Sequence, residues 1–203
     1  MRKAIETFSD SPFNFEKKMD TAYQAYINRI AANSENVVFL NSSTLHASWV
    51  MATIFENAKD YVKIFAGTMT TSVSQDSEYQ RQFNNFIKRG GKVQILLENY
   101  NEGNPLNLNR ILKYYEIVKP NSISVKLHKK QLFYTDEDGT DKKIHFCVSD
   151  GKMYRLENDT ERFLAKGNFN DTIFSKKLAQ VFDEIFNDSS SKQVKFSTAK
   201  VMA

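Results

Sequence analysis

Residues 142–158 read KKIHFCVSDGKMYRLEN, and the fold turns on how this stretch is read. Its first half alternates: Ile144, Phe146 and Val148 are apolar, while Lys143, His145, Cys147 and Ser149 are polar or weakly so. A period of two places the two sets on opposite faces of a β-strand. Asp150-Gly151 then supplies a tight turn, because both residue types tolerate positive φ. A second short strand, 153–156, follows. The stretch is therefore expected to be a strand hairpin, with one core face and one face that carries an ammonium, an imidazole and a thiol.

Upstream, strands and helices alternate. Phe15, Met19, Ala22, Tyr23, Tyr26, Ile27 and Ile30 recur at helical spacing over 15–31, with Asn14 as the expected N-cap. The short apolar run 37–40 reads as a strand, and Asn41, Ser42, Ser43 and Thr44 offer caps for a helix over 44–58. YVKIFA (61–66) and KVQILL (92–97) read as buried strands. Between them lie a Thr/Ser-rich loop, 67–75, and a helix capped by Asp76 or Ser77 that Gly90-Gly91 ends. A helix over 108–118 and a strand over 122–127 follow.

Downstream, residues 131–135 are expected to pair with 144–149 across the turn at 136–139. Another strand falls within 159–166. The last helix, 172–186, is capped by Asn170 or Asp171, and its expected buried stripe is Ile173, Phe174, Leu178, Val181, Phe182, Ile185 and Phe186. This order predicts an α/β fold, a mixed β-sheet with helices on both faces. Residues 1–188 are expected to form one domain with an N-terminal helical extension of about 1–35, and 189–203 a flexible tail.

Composition narrows the classes. At 203 residues one domain is the default, with room for a real core. Only 7 Gly and 3 Pro argue against a loop-rich or disordered chain. One cysteine excludes an internal disulfide and suits the cytoplasm. No apolar run is long enough to span a bilayer, and the N-terminus lacks an apolar signal core. Three scattered His and the one Cys have no metal-ligand spacing, so neither metal nor cofactor is expected. A formal net charge of +4 permits a nucleic-acid partner without demanding one.

The 142–158 hairpin resembles the motif of the phospholipase D superfamily, HxKxxxxD followed seven residues after the Asp by GSxxN. Asp150-Gly151-Lys152 matches the family's segment of Asp, turn and next strand. Counting back from Asp150, the positions of the His and the Lys hold Lys143 and His145, the two types exchanged. Counting forward, Glu157 and Asn158 stand where the family has Gly-Ser. The likeness in layout covers about 49–186.

The resemblance implies a phospholipase D-like fold and a metal-independent chemistry. In the family the His attacks phosphorus, the Lys neutralises non-bridging oxygens, and the Ser and Asn hold the phosphate. The candidate catalytic residues here are then His145, Lys143, Asp150 and Asn158. A single motif copy implies a homodimer if two halves are needed. The exchange moves the nucleophile by two strand steps of about 3.3 Å each, a displacement that costs catalysis heavily. Glu157 adds a negative charge where phosphate should bind. The expected function is a degenerate, non-catalytic module that binds a phosphate-bearing partner such as nucleic acid, or that serves as an interaction subunit. The alternative is an active metal-independent phosphodiesterase or nuclease, working as a homodimer through His145. No amphipathic segment suggests a membrane partner.

Candidate phosphate or nucleic-acid contacts are Lys126, His128, Lys129, Lys130, Lys142, Lys152 and Arg155, with Lys143 beside them. The bland reading of the 126–130 cluster is a solvated strand edge guarded by lysines. His46, in the first turn of a helix, could rest an anion, though ordinary capping explains it. The loop 67–74 follows a strand, where α/β sheets place crevices. Gly167-Asn168-Phe169-Asn170 imitates part of GSxxN at too long an offset, and reads as a loop into the last helix.

Overall fold

The computed structural model describes residues 12–101, 107–129, 131–135 and 138–196, with side chains from Lys18 onward. The chain runs α1 (Pro12–Ala32), β1 (Phe39–Asn41), α2 (Thr44–Asn57), β2 (Tyr61–Ala66), α3 (Ser72–Gln75), α4 (Ser77–Lys88) and β3 (Lys92–Leu97). It continues α5 (Asn109–Val118), β4 (Ile123–Leu127), β5 (Phe133–Thr135), β6 (Asp141–Lys143) and β7 (His145–Ser149). It ends β8 (Met153–Asp159), β9 (Leu164–Asn168), α6 (Thr172–Asn187) and β10 (Lys192–Gln193).

Among the described residues eight strands form one mixed sheet, in the order β1-β9-β8-β7-β2-β3-β4-β10. β2, β3 and β4 are parallel, and every other pairing in this sheet is antiparallel. YVKIFA and KVQILL are apolar almost throughout because they lie centrally and are covered on both faces. On one face Ile64, Ile95 and Cys147 meet Ile54 and Phe55 of α2 and Phe83 and Phe86 of α4. On the other Phe65, Leu96, Phe146 and Val148 meet Phe182 and Phe186 of α6. The mixed sheet with helices on both faces is thus as expected.

Local chemistry sets the helix ends. Ser43 accepts the His46 N–H, Asp76 the Tyr79 N–H, and Asp171 the N–H groups of Ile173 and Phe174. α1 starts earlier than expected, at Pro12, because Pro suits the first helical turn. Asn14 therefore lies inside the helix and does not cap it.

Other expectations need correction. The stretch 142–149 is two strands: β6 ends at Lys143 and β7 begins at His145. β5 pairs with β6, Phe133 opposite Lys143, and not with β7. Both edges of β7 are already taken, by β2 and β8. Residues 136 and 137 of the proposed turn lie outside the described residues. In α6 Ile173 is 73% exposed and Val181 40%, so the buried stripe narrows to Leu178, Phe182 and Phe186 with Ala179. Residues 192–196 dock on the sheet: β10 pairs with β4, and Val194 and Phe196 are buried. No described helix is long and apolar enough to cross a membrane.

Gly167 marks the tightest backbone approach near β1. A Cβ there would lie 2.4 Å from the Phe39 ring and 2.8 Å from the Tyr154 carbonyl oxygen. Gly167→Ala is therefore expected to destabilise by about 1–3 kcal/mol through overpacking, read as a lower urea midpoint at unchanged m-value.

Candidate functional site

His145 opens β7, which runs antiparallel to β2, so its side chain lies at the end of the sheet where β2 and β3 finish. That end is where parallel strands leave a crevice. Glu98, the residue after β3, is held there by its N–H donating to the Ala66 carbonyl at 3.0 Å. Lys143 Nζ sits 2.5 Å from Glu98 Oε2. His145 Nε2 is 3.4 Å from the same oxygen, and His145 Nδ1 is 3.5 Å from Glu157 Oε2. Glu157 is the register partner of His145 across the β7–β8 hairpin, so one pleat face brings the two together.

The chain of contacts continues inward. Arg155 donates from Nη2 to Glu157 Oε1 at 3.1 Å and from Nε to Asn41 Oδ1 at 2.9 Å. Asn41 in turn donates to the Phe163 carbonyl at 2.9 Å. Lys143, Glu98, His145, Glu157, Arg155 and Asn41 thus form one continuous polar line, with His145 between two carboxylates. Glu98 Oε1 and His145 Nε2 are buried and accept or donate no hydrogen bond among the described residues. Gly67 packs on the imidazole; a Cβ there would lie 3.2 Å from His145 Cε1.

Beside His145 opens a cavity of about 210 Å³. Met51, Met69, Tyr79 and Phe163 give it an apolar lining, into which His145, Arg155 and Glu157 bring the polar groups. Burial alone would raise the Glu157 pKa, but His145 and Arg155 together outweigh it and hold the carboxyl below its ordinary value. Cys147 also lines the cavity, and burial pushes its thiol up to about 12, against a smaller lowering by Arg155.

The other candidates are dispersed. Asp150 lies at the far end of β7 and accepts three backbone N–H groups there, from Lys59, Asp60 and Tyr61. Asn158 falls on a bulge between Glu157 and Asp159. Arg155 is buried and committed to Glu157 and Asn41, so it is a cavity residue and not a surface contact. Lys126 Nζ donates to the Phe186 carbonyl at 2.6 Å and lies over the Phe186 ring. His128 is buried, with Nδ1 3.1 Å from Ser191 Oγ, which removes it from any phosphate surface. Lys129 and Lys142 are exposed, Lys152 is half-buried at the β7–β8 turn, and Lys130 lies outside the described residues. His46 is satisfied by Asp20 at 3.0 Å and stacks on Tyr23, as ordinary capping would have it. Asn168 and Asn170 bond to Asn36 and Ser34 at the opposite end of the sheet from His145.

As site residues, Glu98 and Asn41 were not singled out in the sequence; Asn41 was read only as a helix-cap candidate. Glu98 had one signal, its position immediately after a buried parallel strand. Asn41 had none, since its partner Arg155 lies 114 residues away. Among the described residues no group of three or more His, Cys, Asp or Glu could hold a metal ion.

No family model and no curated protein matches the sequence. Solved structures do match. The phospholipase D family member Nuc from Salmonella typhimurium is 12% identical, over 79% of this chain and 99% of its own, with a TM-score of 0.53. An archaeal chromatin protein, TrmBL2, whose structure shows a novel mode of DNA binding, is 14% identical with a TM-score of 0.52. That match covers 90% of this chain but 64% of the chromatin protein, so this chain spans less than two thirds of it. At these identities the likeness shows the fold, which is phospholipase D-like.

Glu157→Gln leaves Arg155 buried without its counter-charge, and is expected to cost about 3–5 kcal/mol. Exchanging both together, Arg155→Met with Glu157→Gln, should recover most of that loss. Because the folded pKa of Glu157 is depressed, its contribution is complete above the unfolded carboxylate value of about 4.3 and fades as pH falls through the folded value. Urea melts across the acid range should show wild type and Glu157→Gln converging below about pH 4.

Proposed function

We propose that this phospholipase D-like domain is a non-catalytic, cytoplasmic module that binds a phosphate-bearing partner, nucleic acid foremost. The observation that carries the reading is the closed ionic line at the crevice. Lys143 is already paired with Glu98, and Arg155 with Glu157. The two cations and two carboxylates cancel, so none of the four brings a free charge to a phosphodiester. A phosphate oxygen about 4 Å from either carboxylate would meet repulsion of about 4 kcal/mol at a surface-like dielectric, which the committed cations offset only in part. The net charge of +4 and the DNA binding of the chromatin protein of like fold support nucleic acid as the partner.

A second reading has one observation in its favour. His145 lines the cavity and its Nε2 has no hydrogen-bond partner among the described residues, as a nucleophile awaiting phosphorus would. That reading is an active metal-independent phosphodiesterase or nuclease, working as a homodimer.

Purified protein is expected to give no turnover above background on bis-p-nitrophenyl phosphate or plasmid DNA in the presence of chelator. His145→Ala should leave that background unchanged. Activity that persists in chelator and disappears in both His145→Ala and Lys143→Ala would instead assign the second reading.

A further inference from the structure

The two ends of the sheet differ in how their cations are used. At the crevice, Lys143, Arg155 and Lys126 are all committed to carboxylates or a helix carbonyl. At the opposite end, Lys59 leads into β2, Lys88 and Arg89 close α4, and Lys92 opens β3. Lys119 follows α5 ahead of β4, and Lys152 follows the β7–β8 turn. Lys176 of α6 packs its stem against that turn, its Cγ 3.6 Å from where a Gly151 Cβ would stand.

Arg89 and Lys119 donate to the last carbonyls of α2 and α4, which fixes them while leaving their charge on this edge. Lys59, Lys88, Lys92, Lys152 and Lys176 have no side-chain ion pair or hydrogen bond among the described residues. Seven cations here stand against five carboxylates, Glu56, Asp60, Asp150, Asp171 and Asp183, the last of which is paired with Lys63. Two of these are turned inward: Asp150 onto three backbone N–H groups and Asp171 onto two.

The geometry of this row selects the partner. Strands β8, β7, β2, β3 and β4 are neighbours, and at about 4.8 Å per gap the row is about 19 Å long. A lone phosphate group could reach only part of it. One nucleic-acid strand presents a phosphate every 3.4 Å or so along a duplex axis, about five or six over that length. The turns of this edge, Asp60, Gly90-Gly91, Pro120-Asn121 and Asp150-Gly151, carry no large apolar side chain, and the exposed apolar groups beside it, Ile117 and Val118 of α5 and Ile173 of α6, sit in the flanking helices.

We infer that this lysine edge, at the opposite end of the sheet from the crevice, docks the phosphodiester backbone of a nucleic-acid duplex. The inference rests on the reading of nucleic acid as the partner and adds where it binds. The test is fluorescence anisotropy with a labelled DNA duplex and the matching RNA duplex, from low to physiological salt. Lys59→Gln/Lys92→Gln/Lys152→Gln should weaken binding at least about tenfold and lower the salt slope by about 2.7. The matching triple Arg variant should retain binding, and Lys129→Gln/Lys142→Gln should bind as wild type. Wild-type binding by the triple Gln variant, with loss in Lys129→Gln/Lys142→Gln, would overturn the edge and leave the nucleic-acid reading standing. No binding to either duplex at low salt, or binding only to anionic vesicles, would overturn both.

Discussion

At the start of β2, three successive backbone N–H groups, those of Lys59, Asp60 and Tyr61, converge on the carboxylate of Asp150 at 2.7, 3.1 and 3.0 Å. Asp150 reaches them from a left-handed conformation, φ 51°, which Asp tolerates better than most residues. This contact ties the end of β7 to the beginning of β2 and so sets their register, from Val62 opposite Ser149 to Phe65 opposite Phe146. A slip of one residue would turn Ile144, Phe146 and Val148 toward α2 and α4, and His145 and Cys147 toward α6. Both helical layers and the crevice therefore depend on a clamp that touches none of the crevice residues.

The register then explains the line of ion pairs at the crevice. It places Glu157 directly opposite His145 and Arg155 opposite Cys147, on the more populated helical face. Charges there are stripped of water, and each persists only with a partner close by. Arg155 and Glu157 supply one another, and Asn41 Oδ1 accepts a hydrogen bond from the guanidinium Nε–H that Glu157 leaves open. Lys143 arrives from a different ribbon, β6, to neutralise Glu98.

Much of the fold was legible because it is written locally. YVKIFA and KVQILL are strands to the residue, since a run apolar on both faces and of that length has few other uses. The caps at Asp76 and Asp171 likewise follow from residue type alone. The errors came where a neighbour distant in sequence decides. FYT was assigned to β7 because pairing partners are invisible until one knows that β2 and β8 already flank it. Ile173 sits in the first turn of α6 and misses the sheet, which Leu178, Phe182 and Phe186 reach at spacings of four. Of the residues the motif nominates, Lys143 and His145 meet at the crevice, whereas Asp150 lies at the other end of β7 with its carboxylate on backbone N–H groups. Asn41 meets Arg155 only after the whole sheet has assembled.

Cys147 has one consequence of a different kind. It is the chain's single cysteine, 3% exposed in a strand covered on both faces, with its thiol pushed up to about 12. Thiol reagents attack the thiolate, so the native sulfur is doubly shielded, by access and by protonation. It becomes reactive when the cavity it lines widens or the helical layer over β7 lifts. The pace at which an alkylating reagent marks this sulfur is thus a native clock for breathing of the central strand, readable by mass and needing no added label.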